Sequence, residues 1–429
     1  LALAGVVFGF AEPLIHSAFL LPAALVGFGT YRVATRFCSQ PLFASFAAVL
    51  TPAVLISASN VMSTITMLAF YVLALDLWLT GIERGRLGYL FLAAFAVSAS
   101  ALSQYFGASL VPLLLVYTAL RLRKPGWWLA ALAVPVVLLF MYELATRQLF
   151  GYGMFSEAGV YAQQFRGEEA QSFGVKLFIG TLFAGGCVWT ALWCLPWLGW
   201  RVQLAAAVIA VLGAIVGWVS FQALTGSSVG EADALSRVSL TSHVSLFIAA
   251  ALLLFGLASY DLYKTRSADS LLLFLWVAGT FVFAAVVNWT ANGRSLLGMC
   301  PPAAILVVRA LDRRGIWDAV RGRLAWAALV PMGALCLVLV YADYTLAGSA
   351  RAAARYMADE LPMGAGRKVY LGHWGFQYYM HERGMEHFDL LGTTVGPGDA
   401  IILPTNNMRQ MEMPEVYGHQ FAVSFPVFP

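Results

Sequence analysis

The chain of 429 residues contains little charge: 11% of its residues are Asp, Glu, Lys or Arg, whereas 60% are hydrophobic. An ordinary soluble domain carries about 25% charged residues, so this composition excludes a typical soluble fold. A transmembrane helix needs about 20 mostly apolar residues, and runs of that length recur along the chain. Most of the chain is therefore expected to lie in lipid.

Several kinds of chemical motif are also missing. Five cysteines are scattered without metal-binding or disulfide spacing. The sequence has no phosphate-binding glycine loop, no zinc-spaced set of His and Cys, and no serine nucleophile elbow. The net charge of +4 is small, and no basic helix with interleaved aromatic residues points to nucleic acid. Function is instead expected where polar groups gather at one membrane face.

Twelve apolar runs predict an all-α polytopic membrane protein with about 12 transmembrane helices. They cover residues 14–33, 41–59, 64–81, 87–103, 106–122, 127–146, 176–198, 203–224, 243–261, 270–288, 294–311 and 324–345. The chain starts at Leu1 inside an apolar stretch and without a methionine, so we expect a further segment before it.

The polar breaks between these runs alternate between basic and nearly free of charge. The basic breaks contain Arg32, Arg36, Arg84, Arg86, Arg121, Arg123, Lys124, Arg201, Lys264, Arg266, Arg309, Arg313, Arg314, Arg321 and Arg323. Cytoplasmic loops of membrane proteins are enriched in Lys and Arg. This alternation predicts that the long loops 147–175 and 225–242 and the C-terminal tail lie outside the cytoplasm. A bacterial inner membrane is favoured, because these loops lack the cysteines and glycosylation expected in a eukaryotic lumen.

The composition changes near residue 346, which predicts a membrane domain over 1–345 and a small extracytoplasmic α/β domain over 346–429. We expect helices at 350–361 and 374–383 and strands at 368–372 and 400–403. The segment His373 to Tyr379 places aromatic residues where a strand meets a helix. These rings either stack on a sugar or lipid headgroup or pack in the core of the domain.

Candidate site residues are expected on the outer face. Arg294 follows Asn292 at the start of the eleventh run, where its guanidinium can either fork onto a phosphate or reach lipid headgroups. The outer-loop carboxylates Glu157, Glu168 and Glu169 are candidates for a general base or for ligands of a divalent cation, and solvated loop charges are the alternative. Apart from that cation, the sequence indicates no cofactor.

Five segments together resemble the C-type (GT-C) membrane glycosyltransferases, in the branch of protein O-mannosyltransferases and the aminoarabinose transferase of lipid A. They are Tyr31 to Phe37, Leu50 to Pro52, Asn60 to Leu68, Ser103 to Pro112 and Asn292 to Pro302. The resemblance implies transfer of a sugar from a polyprenyl-phosphate donor to an extracytoplasmic acceptor, whose identity stays open between lipid, glycan and protein.

Within the resemblance, substrate or phosphate binding is assigned to Arg294, Asn292, Arg237, Thr64, Gln104 and Tyr105. The chain departs from the family at two places. Thr64 stands near a position where members often have an aspartate, and the outer loop that carries the family's acidic residue would precede Leu1. Two alternatives therefore remain: a multi-span transporter or flippase, and a non-catalytic relative with the same fold.

Overall fold

The structure is a computed structural model that describes residues 12–168, 173–225, 234–288, 291–318, 320–360, 366–389 and 393–404. The chain divides into two compact units, Leu1–Leu337 and Val338–Pro429. The division falls inside one helix, slightly before the boundary proposed from composition at residues 345 and 346.

The described part of the first unit is helical. Its helices are α1 (Glu12–Ala34), α2 (Pro41–Val49), α3 (Pro52–Ser59), α4 (Ser63–Arg84), α5 (Leu87–Ser103), α6 (Leu110–Leu122), α7 (Trp128–Phe150), α8 (Met154–Glu168), α9 (Phe173–Cys187), α10 (Thr190–Trp193), α11 (Trp200–Thr225), α12 (Ala234–Thr265), α13 (Ala268–Val282), α14 (Cys300–Asp312), α15 (Arg321–Ala327) and α16 (Leu329–Arg355), the last of which continues into the second unit. Two 3₁₀ segments lead directly into helices α6 and α14: the Tyr105 turn (Tyr105–Ser109) and the Gly293 turn (Gly293–Met299).

Nine helical stretches among the described residues are long and apolar enough to cross a membrane, and the bent pair α2–α3 forms a tenth candidate. Helices α5 and α9 are apolar but shorter. Every one of the twelve predicted runs therefore coincides with helical structure. The prediction of an all-α polytopic membrane protein followed by a small α/β unit is confirmed.

Three predicted segments differ from the structure in their internal breaks or bounds. The run 41–59 is two helices that meet at 63°, because Thr51 is extended and Pro52, which has no N–H to donate, starts α3. The run 176–198 ends its first helix at Cys187 and continues as short helical turns. Helix α12 already begins at Ala234, so the second long loop is shorter than predicted.

Helices of the first unit approach one another closely at glycines. A Cβ atom added to Gly29 of α1 would overlap Val72 of α4, and one added to Gly185 of α9 would overlap the backbone carbonyl of Phe247 in α12. Lipid provides no hydrophobic force between apolar helices, so close backbone contact is an important source of packing energy in a membrane.

Buried carboxylates are paired with arginines at one end of the first unit. Asp76 of α4 accepts from Arg32 (3.3 Å) and Arg36 (2.6 Å), which lie about 40 residues away in the chain, and not from Arg84 or Arg86 near it in sequence. Asp261 of α12, which is fully buried, pairs with Arg309 and Arg313. The two clusters are neighbours, because Arg309 also donates to the carbonyl of Phe37. All four of these arginines belong to the basic breaks.

The second unit contains a three-stranded parallel sheet in the order β2-β1-β3, formed by β1 (Lys368–Tyr370), β2 (Glu386–His387) and β3 (Ala400–Ile402). Helix α17 (Trp374–Glu382) follows β1, and its Phe376 and Met380 pack on Tyr370 and Ile402. Two strands and this helix match the predicted ranges. Strand β2 was missed, because it has two exposed residues and no apolar alternation. The helix predicted at 350–361 is the end of α16 and a π-helical turn, Tyr356–Glu360.

A turn before β3 is held by a carboxylate. The backbone N–H groups of Gly396 and Arg367 donate to Asp399 over 3.0 and 2.8 Å. These hydrogen bonds stabilise the ionised form and hold the pKa of Asp399 below its ordinary value.

Candidate functional site

The Gly293 turn carries two of the predicted site residues, and a polar network fixes its shape. Asn292 precedes the turn, and its Oδ1 accepts from the backbone N–H (3.0 Å) and the hydroxyl (2.8 Å) of Ser295. The side-chain amide of Asn288 donates to the same hydroxyl over 2.9 Å. Arg294 lies within this network, with its own side chain exposed. The role of Asn292 in the structure is therefore to cap the turn that presents Arg294.

The backbone of this turn is in tight contact with neighbouring helices. It packs against α3, α4, α9 and α13. A Cβ atom at Gly293 would lie 2.7 Å from the sulfur of Cys187. One at Gly298 would lie 2.9 Å from Cε1 of Phe106 and 3.2 Å from Oγ1 of Thr280. Glycine at position 298 thus allows the Gly293 turn to touch the Tyr105 turn, which contains Phe106.

The Tyr105 turn joins α5 to α6 and is anchored by aromatic packing. The ring of Phe106 stacks on Tyr71 at 5.9 Å between centroids and contacts Phe283 at 4.8 Å. Just before the turn, Oε1 of Gln104 is buried and has no hydrogen-bond donor in the part of the chain that the structure describes. Buried polar atoms almost always have a partner, so this oxygen is available to a water or ligand.

Tyr105 connects this turn to helix α8. Its hydroxyl donates to the carbonyl of Met154 over 3.1 Å, and its ring meets Phe155 edge-on at 5.0 Å between centroids. The hydroxyl and the ring of Tyr105 therefore both hold the start of α8 in this structure.

The end of α7 also holds the start of α8. Glu143 accepts from the backbone N–H of Phe155 (2.9 Å) and of Ser156 (3.4 Å), and from the hydroxyl of Ser156. It also forms an ion pair with Arg147, one helical turn later, over 3.2 Å. The N–H groups of a first helical turn lack intrahelical acceptors, so Glu143 caps α8 from another helix. The sequence analysis missed this cap, for which Gly151, in a left-handed turn at φ 81°, was the available signal.

The predicted catalytic carboxylates are only partly described. Glu157 is exposed in the first turn of α8. Glu168 ends that helix, but its side chain lies outside what the structure describes, as does the whole of Glu169. Over the described ranges, no three His, Cys, Asp or Glu side chains are grouped closely enough to hold a metal ion. The catalytic and metal-binding roles of these carboxylates stay predictions.

The two remaining predicted residues lie in different settings. Thr64 is in the first turn of α4, a helix against which the Gly293 turn packs, and is 3% exposed. Arg237 is in the first turn of α12, and its side chain is not among those described. The structure thus brings the Gly293 turn, the Tyr105 turn and the start of α8 into one connected group. It gives no such contact for Arg237.

Arg294 differs electrostatically from the arginines at the other end of the helices. Helix α14 starts beside the Gly293 turn and ends near Arg309 and Asp312, so the two regions lie at its opposite ends. Arg309 and Arg313 are neutralised by Asp261. No carboxylate within the described ranges forms an ion pair with Arg294. Its positive charge is therefore available to an anion.

Comparison with solved structures finds similarity to an oligosaccharyltransferase and to ArnT, with TM-scores below 0.5. An oligosaccharyltransferase from Archaeoglobus fulgidus, tethered to an acceptor peptide, is similar at 14% identity and a TM-score of 0.49 over 90% of this chain. ArnT from Cupriavidus metallidurans, bound to undecaprenyl phosphate, is similar at 16% identity and a TM-score of 0.37 over 88%.

The chain spans about half of the oligosaccharyltransferase (54%) and 72% of ArnT. No protein-family model matches the chain. No curated protein matches it either. With TM-scores below 0.5, the structural likeness carries no weight for function, which we argue from the residues of this chain.

Proposed function

We propose that the protein is an integral-membrane glycosyltransferase that moves a sugar from a polyprenyl-phosphate donor to an extracytoplasmic acceptor. One observation carries the proposal: Arg294 is exposed, pairs with no carboxylate of the described residues, and stands on a hydrogen-bonded turn at the end of the helices opposite the Asp261 cluster. The phosphate of a membrane lipid lies at the membrane surface, so it would meet a membrane protein at one end of its helices.

Arg294 would act on the donor phosphate. A planar guanidinium can donate two parallel hydrogen bonds to phosphate oxygens, and these strengthen as negative charge develops on the leaving phosphate. Hydrogen-bond donors that are already held in position usually make the largest contribution to the rate when they stabilise charge that develops in the transition state. The Asn288–Asn292–Ser295 network would hold Arg294 in position, because it fixes the backbone on either side of this residue. Thr64, Gln104 and Arg237 are proposed as further contacts to donor or phosphate.

A carboxylate would accept the proton of the acceptor hydroxyl as that oxygen attacks the anomeric carbon and the phosphate leaves. Among the candidates, Glu157 is the one whose exposed side chain the structure describes, on a helix held by Tyr105 and Glu143. Glu168 and Glu169 remain candidates for the same role. A single displacement of this kind inverts the configuration at the anomeric carbon.

The test is donor turnover by the purified protein in detergent, supplied with a panel of polyprenyl-phosphate sugars. We expect Arg294→Ala to lower turnover roughly hundredfold, the usual cost of removing one such charge-stabilising donor. Arg294→Lys should restore part of the activity, since it keeps the charge but not the forked geometry. The matched control is Arg86→Ala, which removes an exposed arginine from a basic break and should leave turnover unchanged.

Equal turnover in Arg294→Ala and wild type would remove Arg294 from the site. Absence of turnover and of donor binding with every sugar would instead favour a transporter or a non-catalytic relative.

A further inference from the structure

Helix α17 in the second unit leaves a row of large side chains uncovered. Trp374 is 73% exposed and Tyr378 is 44% exposed, whereas Phe376 and Met380 of the same helix are buried. The alternative that the aromatic residues of this segment all pack in the core is therefore wrong for Trp374 and Tyr378. These two residues are four apart, so they lie on one face of the helix.

The same face carries hydrogen-bonding groups. Trp374, Gln377, Tyr378, His381 and Glu382 line a shallow groove of about 560 Å³. Their spacing of three, four, seven and eight residues from Trp374 follows one stripe of an α-helix. The groove thus combines two aromatic rings with an amide, an imidazole and a carboxylate, which together donate and accept hydrogen bonds.

The backbone holds Trp374 in an unfavourable conformation. Its φ is +57°, in the left-handed region that large side chains rarely adopt and that favours glycine. The preceding Gly372 also has a positive φ, 122°. A large aromatic residue therefore stands, mostly exposed, at a position where glycine would be less strained, and its ring is not buried in return.

The charge of the groove favours a neutral ligand over an anionic one. Among the described residues no lysine or arginine lines it, and Glu382 adds a negative charge. The adjacent Arg383 is paired with Asp359 over 3.0 Å. A phosphate or an anionic lipid headgroup would need basic residues here. A sugar ring requires what is present, since its C–H face stacks on an aromatic ring and its hydroxyls need donors and acceptors at the edge of that ring.

We propose that the exposed face of α17 is a carbohydrate-binding site, in which Trp374 and Tyr378 stack on sugar rings and Gln377, His381 and Glu382 bind their hydroxyls. The site belongs entirely to the second unit. The proposal does not depend on the transferase proposal, because binding can be measured without donor or turnover.

Binding should be measured by isothermal titration of the whole protein with maltohexaose, cellohexaose and mannohexaose. The detergent must carry no sugar headgroup, because a maltoside would compete for the groove. We expect wild type to bind at least one of these saccharides and Trp374→Ala to bind it roughly tenfold more weakly or not at all. Trp127→Ala is the matched control, because Trp127 is 72% exposed and lies in the first unit.

Trp374→Gly separates loss of the ring from loss of the fold. Glycine relieves the positive φ, so this variant should unfold at the same or a higher temperature than wild type and still lose saccharide binding. The proposal is overturned if wild type binds none of the three saccharides, or if Trp374→Gly binds as tightly as wild type. It is also overturned if Trp374 proves necessary only for binding vesicles of phosphatidylcholine and phosphatidylglycerol, which would identify a membrane-contact surface.

Discussion

At the scale of single residues, the described arginines of the first unit serve two purposes. Those of the basic breaks near Asp76 and Asp261 hold helices together through buried ion pairs, whereas Arg294 pairs with no described carboxylate and is exposed. A buried ion pair is costly to break, because the charge left behind has lost both water and its partner. Substitution at these two kinds of position should therefore affect different properties.

Asp261→Asn should destabilise the protein by about 3–5 kcal/mol, because it leaves Arg309 and Arg313 without their counter-charge in a buried setting. The measurement is thermal unfolding in detergent, followed by circular dichroism. The control is Asp318→Asn, which removes one partner of the exposed pair with Arg321 and should change the unfolding temperature little. Similar shifts for both variants would show that the Asp261 pairs contribute no more than surface ones.

At the scale of elements, helix α8 depends on contacts that come from other segments of the chain. Its first N–H groups donate to Glu143 of α7 and to Thr146, and its Met154 carbonyl accepts from Tyr105. An exposed 15-residue helix is marginal in isolation. These contacts therefore decide whether Glu157 is held in place.

Glu143→Ala should loosen α8, because the cap and the link to Ser156 are lost together. We expect amide hydrogen exchange over residues 154–168 to become several-fold faster, with exchange in α4 unchanged. Arg147→Ala removes the ion pair with Glu143 but keeps the cap, and should leave the exchange of α8 nearly unaltered. An equal effect of the two variants would assign the stabilisation to the ion pair.

At the scale of the whole molecule, the orientation proposed from the basic breaks can be tested directly. Burial raises the pKa of the Cys38 thiol to about 12, with a further contribution from Asp312, so this native cysteine stays protonated and reacts slowly. New cysteines can then be introduced at exposed positions, and labelling of the unsubstituted protein measures the background from the native cysteines.

Tyr152→Cys should react with a membrane-impermeant maleimide in intact spheroplasts, whereas Arg86→Cys should react only after the membrane is opened. Both positions are exposed, and the unsubstituted protein is the control for background labelling. The opposite pattern would place the Gly293 turn at the cytoplasmic face and contradict an extracytoplasmic transferase site.

The sequence by itself determined the class of fold, because hydropathy is a local property that can be read in windows of about 20 residues. The twelve runs were visible in this way, and the strands at 368–370 and 400–402 and the helix from Trp374 were visible as short segments after the change in composition. The bend before Pro52 was missed, because the run 41–59 is apolar on both sides of it. The sequence likewise singled out Arg294 and Asn292, because polar residues at the end of an apolar run are conspicuous.

Only the tertiary structure decided which distant residues meet. Asp76 pairs with Arg32 of α1 and with Arg36 just after that helix rather than with arginines near it in sequence, because helices α1 and α4 are packed side by side. Gly298 touches Phe106, and Glu143 caps a helix that begins after a chain reversal. Exposure of Trp374 depends on which face of α17 the sheet covers. Local periodicity contains no information about such partners, since they are selected by packing between segments that lie far apart in the chain.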